Sequence, residues 1–275
     1  MKLNRIIKAF SLLLVVAFAA CSDFEDTELL SPVVSDSNPG VRFDNANKTS
    51  IEFDLSQDPN PSFVMKINRN KGGSAETYPI TVVENEENAF VFPASVSFEA
   101  NEETTDIVVN MSPTAPNGVT LKYQINFGEN VNPYLNEYGE FYGDVILLDW
   151  VKYSDGEYTS GFFGDTWDQV LYNAAGTNRY RFFDLFADGY HYDFTWEEGK
   201  KNIVPAGTLS GTYRVQESGY VDSSYGMVST STDPSVDYTF YNAENNSFYF
   251  DRQWNVSAGS FGWQTDIYKI TSLAN

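Results

Sequence analysis

The residues best suited to contact a ligand are aromatic, and they are concentrated in the second half of the chain. The sequence has 275 residues, 18 tyrosines and 5 tryptophans. Only one tyrosine, Tyr78, precedes residue 121, and no tryptophan precedes residue 150. Sugar rings stack on aromatic faces while carboxylates and amides bind their hydroxyl groups, so this composition favours a glycan-binding surface. The candidate ligand-binding residues are Trp167, Tyr190, Trp254 and Trp263.

Two of these tryptophans lie close together in the sequence. Trp254 and Trp263 flank the segment 258–262, whose small residues predict a loop that exposes both rings. The alternative is that the aromatic rings fill a β core, which is the expectation for Trp196 in the alternating segment 192–196. Aromatic content by itself does not choose between the two interpretations.

Groups that could carry out catalysis are sparse. The chain has one histidine, His191, and no Gly-x-Ser-x-Gly nucleophile elbow, phosphate-binding glycine loop or dinucleotide fingerprint. Two carboxylates are sufficient for glycoside hydrolysis, and several acids lie among the aromatic residues. These acids are Asp165, Asp168, Asp184, Asp193, Glu197 and Glu198. No spacing singles out a pair, so we expect a protein without catalytic residues, with a carboxylate-dependent glycoside hydrolase as an alternative.

Metal ligands are equally sparse. One cysteine cannot form an internal disulfide or a thiolate cluster, and one histidine excludes a multi-histidine site. Residues 54–60 place oxygen ligands at alternate positions, but Pro59 stands where an EF-hand has its glycine and Met65 where it has its glutamate. The acidic segments 84–88 and 101–103 predict solvated turns. We therefore expect no metal and no cofactor, with calcium at the acidic turns as the alternative.

The N-terminus has the pattern of an export signal. Three basic residues, Lys2, Arg5 and Lys8, precede an apolar segment over residues 9–20. This segment is too short to span a membrane. The only cysteine, Cys21, follows Phe-Ala-Ala directly. This arrangement resembles a bacterial lipoprotein signal with its lipobox, with phenylalanine in place of the usual leucine. The resemblance implies a signal peptide over residues 1–20 and lipid attachment at Cys21.

The segment that follows Cys21 is acidic and predicts a flexible tether over residues 21–40. It contains five acids, several serines and two prolines but no Lys or Arg. The acids within residues 22–26 resemble the surface-export signal of Bacteroidota lipoproteins. That resemblance implies a lipid anchor in the outer membrane and an orientation towards the exterior; a lipoprotein that faces the periplasm is the alternative. The formal net charge of −21 disfavours nucleic acid as a partner.

Period-two alternation of apolar and polar residues predicts strands in the body of the chain. It is clearest over residues 119–127 and recurs over 63–67 and 107–111. Short strands separated by turn residues predict an all-β protein in which residues 41–130 form an immunoglobulin-like β-sandwich. The segment 95–109 resembles Calx-beta and related immunoglobulin-like modules, which are common at the front of Bacteroidota surface lipoproteins.

The remaining residues predict a linker and a second β domain. Turn residues within 131–149 predict the linker, and residues 150–275 predict an aromatic-rich antiparallel β domain, with one helical turn or short helix expected at 165–173. Trp150 and the segments 156–158 and 180–182 resemble β-rich C-terminal domains of uncharacterised Bacteroidota lipoproteins. That resemblance implies no known activity.

Together these patterns predict a lipid-anchored, surface-exposed and non-catalytic binding protein. The most specific expectation is a glycan-binding accessory of an outer-membrane uptake system, in which the sandwich is a spacer and the C-terminal domain faces the ligand. The first alternative is an adhesion or structural surface lipoprotein that binds another protein. The hydrolase is the second alternative.

Overall fold

The protein is all-β, as the sequence predicts. The computed structural model describes residues 39–70, 72–131, 139–233, 235 and 238–274. In that part of the chain the only helical elements are two short 3-10 turns, Glu86–Asn88 and Gly128–Asn130. No helix among these residues is long and apolar enough to cross a membrane. The expected signal peptide, Cys21 and nearly all of the acidic tether lie outside the described residues.

Ten strands form the N-terminal part of the fold. They are β1 (Arg42–Phe43), β2 (Ser50–Asp54), β3 (Ser62–Asn68), β4 (Glu76–Pro79), β5 (Thr81–Asn85), β6 (Phe90–Val91), β7 (Ser95–Phe98), β8 (Thr104–Met111), β9 (Thr120–Asn126) and β10 (Glu140–Leu148). Two four-stranded sheets, β1-β3-β8-β6 and β2-β10-β9-β5, face each other as an immunoglobulin-like sandwich, and β4 pairs with β7. All pairings are antiparallel except that of β2 with β10.

The sandwich core follows from the alternation in its strands. In β3 and β8 every second residue is buried, and Ile67 and Val109 are among the most completely buried residues. Ile125 of β9 is buried from the opposite sheet. Because successive strand residues point to opposite faces, alternating apolar positions place one side of each sheet in a shared core.

Residues 140–148 correct the predicted linker. They form β10, a central strand that is hydrogen-bonded to both β2 and β9. Val145 and Leu147 face the sandwich core, whereas Ile146 and Leu148 pack in a second cluster with Trp150. Because apolar contacts lie on both faces of this strand, its sequence lacks the period-two signal that identified the other strands.

Eleven strands form the C-terminal part. They are β11 (Trp150–Thr159), β12 (Thr166–Ala174), β13 (Arg179–Ala187), β14 (Tyr190–Trp196), β15 (Ile203–Pro205), β16 (Thr208–Ser210), β17 (Tyr213–Asp222), β18 (Gly226–Thr232), β19 (Phe240–Asn242), β20 (Ser247–Val256) and β21 (Gly259–Leu273). They make one antiparallel sheet in the order β15-β14-β13-β12-β11-β21-β20-β18-β17-β16, with β19 on β20. The expected helix at 165–173 is wrong, because β12 pairs with β11 along its whole length.

This sheet curls until its two ends approach each other. The edge strands β15 and β16 are separated by only residues 206–207. Nearby, the Gln216 side chain of β17 bonds the Asp193 backbone of β14 in both directions. The Asp193 N–H donates to Gln216 Oε1 at 3.0 Å, and Gln216 Nε2 donates to the Asp193 carbonyl at 3.1 Å. One amide therefore substitutes for the backbone pairing that β14 and β17 do not make.

Large aromatic rings fill the inside of the curled sheet. Its fully buried residues include Tyr158, Phe182, Phe194, Phe248, Phe250, Trp254 and Tyr268. An ion pair lies among them, with Arg252 Nε 3.3 Å from Asp266 Oδ2 and both side chains without solvent exposure. Tyr158 receives a hydrogen bond from Arg252 and donates one to Asp266, each at 2.9 Å. The Arg252 guanidinium also lies 4.0 Å from the centre of the Tyr192 ring, which offsets part of its desolvation.

The sandwich and the curled sheet are joined by an ion-pair cluster that we call the Glu52 clasp. Glu52 of β2 contacts Arg179 at 2.7 Å and Arg181 at 3.1 Å. Arg181 also forms two 2.6 Å hydrogen bonds with Asp193 and lies 4.4 Å over the Trp150 ring. Since β11 and β13 begin at this joint, the turns at 160–165, 223–225 and 257–258 lie at the other end of the curled sheet, its distal end.

Candidate ligand-binding surface

One row of outward side chains crosses four neighbouring strands of the curled sheet. The strand register places Trp263 of β21 opposite Gln253 of β20, Gln253 opposite Ser231 of β18, and Ser231 opposite Val215 of β17. Directly paired residues share a face of the sheet, so these four side chains lie on its outer surface. Trp263 is 40% exposed, which leaves much of its ring accessible.

A second exposed ring faces Trp263 across this row. Tyr213, the first residue of β17, is 37% exposed, and its ring centre lies 6.2 Å from that of Trp263 with an angle of 45° between the planes. Ser231 is buried although it lies on the outer face. The two side chains therefore lean over β18 and β20 from opposite sides, and their rings meet above the row.

The side chains beneath and beside these two rings are polar. Asn255 Nδ2 donates to Ser231 Oγ at 2.7 Å, which fixes that amide on the outer face. The Gln253 amide makes no hydrogen bond to any of the described residues, so it is available to a ligand. Glu217, exposed and opposite Ser229, adds a carboxylate to the same face two strands away. We call Trp263, Tyr213, Ser231, Gln253 and Asn255 the Trp263 platform.

A small aromatic cavity lies at the distal end, close to the platform in sequence. It has a volume of about 290 Å³ and is lined by Tyr225, Val256, Ala258, Gly259, Ser260 and Phe261. The rings of Tyr225 and Phe261 are both exposed and meet edge to face at 5.8 Å. Phe261 also contacts Phe162, which stacks on the buried ring of Trp254 at 4.2 Å.

The structure corrects the prediction for Trp254. This residue has no solvent exposure, and its ring packs against Phe162, Phe163 and Phe186 inside the curled sheet. The reason is that the predicted loop at 258–262 is almost entirely strand. Because β21 begins at Gly259, the turn is only residues 257–258, and alternation along the hairpin directs Trp254 inwards.

The other two candidate residues are half-buried and lie apart from the platform. Trp167 packs 5.0 Å from Tyr158 and donates from Nε1 to Gln169 Oε1 at 3.1 Å. Tyr190 covers Gly219 so closely that a Cβ atom there would lie 2.3 Å from the tyrosine ring. The platform includes only Trp263 of the four predicted residues. Sequence reasoning missed Tyr213 and Gln253, whose outward positions are defined only by the strand register.

His191, Asp184, Asp193 and Glu198, four of the groups considered for catalysis, take part in structural contacts. His191 Nδ1 accepts a hydrogen bond from the Asp184 N–H at 3.3 Å, its ring packs on Phe183, and burial lowers its pKa. Asp193 is held by Arg181, and Glu198 accepts a bond from Tyr153 at 3.0 Å.

The acidic segment considered for calcium is also internally bonded. Asp54 Oδ1 accepts bonds from the N–H and the hydroxyl of Ser56. Among the residues that the structure describes, no group of three or more His, Cys, Asp or Glu side chains could hold a metal ion.

Comparison with known proteins does not assign the chain to a family. No family model and no curated protein matches it. A Bacteroides ovatus protein of unknown function aligns over 84% of this chain and 92% of its own, with 9% identity and a TM-score of 0.34. A candidate carbohydrate-binding protein from the same organism aligns over 84% and 74%, with 12% identity and a TM-score of 0.32.

A third solved structure, the C. elegans MSP family member WR4, aligns over 40% of this chain and 98% of its own, with 14% identity and a TM-score of 0.25. Similarities of this size establish neither a shared fold nor a shared function. The resemblance of residues 95–109 to Calx-beta modules likewise stays a prediction.

Proposed function

We propose that this protein is a non-catalytic glycan-binding lipoprotein whose ligand lies on the Trp263 platform. The single observation that carries the proposal is the pair of exposed rings, Trp263 and Tyr213, 6.2 Å apart over polar side chains. A pyranose ring has an apolar C–H face and an equatorial belt of hydroxyls. The tryptophan face suits the former, and the Gln253 amide suits the latter.

A second pair of exposed rings, Tyr225 and Phe261, lies close to the platform in sequence, which favours a chain over an isolated small molecule. Trp263 lies only two residues from Phe261, whose ring borders the distal cavity. An oligosaccharide stacked on Trp263 can extend towards that cavity and meet Tyr225 there. Each aromatic contact contributes about 0.5–1.5 kcal/mol, so several contacts are needed for micromolar binding.

The anchoring of the protein belongs to the same proposal. Lipid attachment at Cys21 of an outer-membrane lipoprotein would leave about twenty residues, five of them acidic, before β1. The Glu52 clasp fixes the curled sheet to the sandwich, and the distal end lies away from that joint. The sandwich then serves as a spacer between the membrane and the platform. This arrangement suits an accessory of an uptake system.

One observation favours the alternative of binding to another protein. Val64 and Val108 are paired across β3 and β8 on the outer face of the sandwich, and both are more than half exposed. A flat apolar pair of this kind suits protein contact more than sugar contact. A partner that binds here would be retained by immobilised protein without any sugar, and Val64→Lys would abolish the retention.

The test of glycan binding uses soluble protein consisting of residues 22–275. A glycan array with and without calcium identifies the ligand class, and isothermal titration then measures affinity, because Trp263→Ala removes a fluorophore that could otherwise report binding. We expect Trp263→Ala to weaken binding at least tenfold and Trp263→Phe to retain most of it. Calcium removal is expected to change nothing.

The matched control is Tyr142→Ala, which removes an exposed aromatic ring from β10 of the sandwich. It should bind as the unmodified protein does. Trp263→Ala should keep the original melting temperature, since the ring lies on the surface. Unchanged glycan affinity in Trp263→Ala, or an array without any hit from folded protein, would contradict the proposal.

A further inference from the structure

A second cavity lies at the end of the curled sheet near the sandwich and shares no lining residue with the platform. Its volume is about 450 Å³, within the range of sites for small ligands. The turn 197–202 between β14 and β15 forms one side, and the turn before β13 forms the other. Its principal lining residues are Asn178, Thr195, Trp196, Lys200, Lys201 and Asn202.

Backbone hydrogen bonds hold these walls in place. The Trp196 N–H donates to the Asn178 carbonyl at 2.9 Å, and Trp196 Nε1 donates to the Lys200 carbonyl at 2.8 Å. The Lys200 N–H in turn donates to the Glu197 carbonyl at 2.9 Å. Since Trp196 itself is almost completely buried, the cavity is built on a rigid part of the core.

The polar groups around this cavity are mainly donors. Asn178 and Asn202 contribute amides, Thr195 contributes a hydroxyl that donates to the Val204 carbonyl at 3.4 Å, and the charged groups are the Lys200 and Lys201 ammoniums and the Glu197 carboxylate.

Several other cations of this chain are already neutralised by carboxylates. Arg181 is paired with Glu52 and Asp193, and Lys152 with Asp155. The Lys200 ammonium has neither an ion pair nor a hydrogen bond with any residue in the described ranges. An anionic ligand would therefore meet an uncompensated charge in a preformed cavity.

We infer that this Lys200 cavity binds the carboxylate of an acidic sugar such as a uronic acid. The carboxylate pairs with the Lys200 ammonium, and the ring hydroxyls bond the amides and the threonine hydroxyl. A sulfate ester carries the same charge, and because an ammonium is a point charge that does not select a planar group, the sulfate ester is the competing anion. The site shares no residue with the Trp263 platform and stands independently of glycan binding there.

The experiment is isothermal titration of soluble residues 22–275 with glucuronate, glucose, glucose 6-sulfate and acetate as separate probes. We expect glucuronate to bind at least tenfold more tightly than glucose and acetate, and at least as tightly as glucose 6-sulfate. Its affinity should fall as ionic strength rises, because the ammonium–carboxylate attraction is screened. Equal affinity for acetate, stronger binding of the sulfate ester, or no glucuronate binding would overturn the inference.

Variants separate this site from the platform. Lys200→Gln should weaken glucuronate binding at least tenfold without a change of fold, since the described backbone bonds of the turn do not use that side chain. Lys122→Gln, on the sandwich, is the matched charge control and should have no effect. Trp263→Ala should leave glucuronate binding in the Lys200 cavity intact. If Trp263→Ala abolishes glucuronate binding while Lys200→Gln preserves it, the assignment to this cavity is wrong.

Discussion

The two parts of the molecule use opposite solutions to the same problem of filling a β core. In the sandwich, two sheets face each other, so aliphatic residues such as Ile67, Val109 and Ile125 together with phenylalanines fill the space between them. In the curled sheet, one sheet surrounds a wider interior, which large aromatic rings and the Arg252–Asp266 pair occupy. Most aromatic residues of the curled sheet are therefore needed to fill its interior.

The same contrast exists within one hairpin. Trp254 and Trp263 lie on paired strands only nine positions apart, yet one ring is completely buried and the other is 40% exposed. Trp254 lies opposite Gly262 on the inner face, and Trp263 lies opposite Gln253 on the outer face. Only aromatic residues that lie outside the core, such as Trp263 and Tyr213, are available for binding.

The largest expected effect follows removal of one partner of the buried ion pair. Asp266→Asn leaves the Arg252 charge buried without a counter-charge and should destabilise the curled sheet by about 3–5 kcal/mol. Urea unfolding followed by tryptophan emission measures this directly, because every tryptophan lies at or beyond residue 150. A loss below about 1 kcal/mol would contradict the role of this pair, and Arg252→Met combined with Asp266→Leu should restore part of the stability.

A substitution that leaves a cavity in the sandwich core should lower stability by a similar or slightly smaller amount. Ile125→Ala removes three buried carbons from the sandwich and is expected to cost about 2–5 kcal/mol. If the two cores unfold independently, circular dichroism registers the loss while the tryptophan transition stays at its original urea concentration. A tryptophan transition that moves by the same amount would show instead that both parts unfold as one unit.

Alkaline pH should weaken the curled sheet more than the sandwich. Burial raises the pKa of Tyr180 and Tyr268 to about 12, and it also raises the pKa of Tyr158 and Tyr192. The unfolded chain ionises its tyrosines near pH 10, so stability is unaffected below that value and falls as pH rises towards 12. The loss is about 1.4 kcal/mol per pH unit for each such tyrosine.

Melting curves recorded between about pH 9 and 11 by tryptophan emission and by circular dichroism measure this difference. The tryptophan-detected transition should move to lower temperature first, because fewer tyrosines are buried in the sandwich core, where Tyr123 is the principal one. Equal shifts by both probes would contradict the predicted difference between the two cores.

The smallest expected effect concerns the joint between the two parts. Glu52→Gln removes the charge that Arg179 and Arg181 share, but Arg181 keeps Asp193, so the cost should be about 0.5–1 kcal/mol. The variant should separate the unfolding transitions of the two parts in urea. Glu84→Gln, on the exposed edge strand β5, is the control and should change neither transition. Because Ile146 and Leu148 also pack with Trp150 across the joint, coincident transitions in Glu52→Gln would mean that these apolar contacts suffice to join the two parts.

Local sequence patterns predicted much of the fold. The all-β class and the strands of the sandwich followed from alternation, because each of those strands has one face in a core and one in solvent. The prediction failed at β10, whose residues contact apolar neighbours on both faces, and at β12, whose helical signal was overridden by pairing with β11. Both failures occurred where neighbouring strands, not local residues, determine the conformation.

The amino-acid sequence alone specifies which chemical groups this protein carries. It has a large excess of acids, a single cysteine and a single histidine, and aromatic residues concentrated beyond residue 120. Which rings are buried depends on the folded chain, because the register of a strand and the length of its turn place each residue on the inner or the outer face. The tertiary structure also brought Tyr213 to Trp263 across two intervening strands, a contact between residues fifty positions apart that no local pattern encodes.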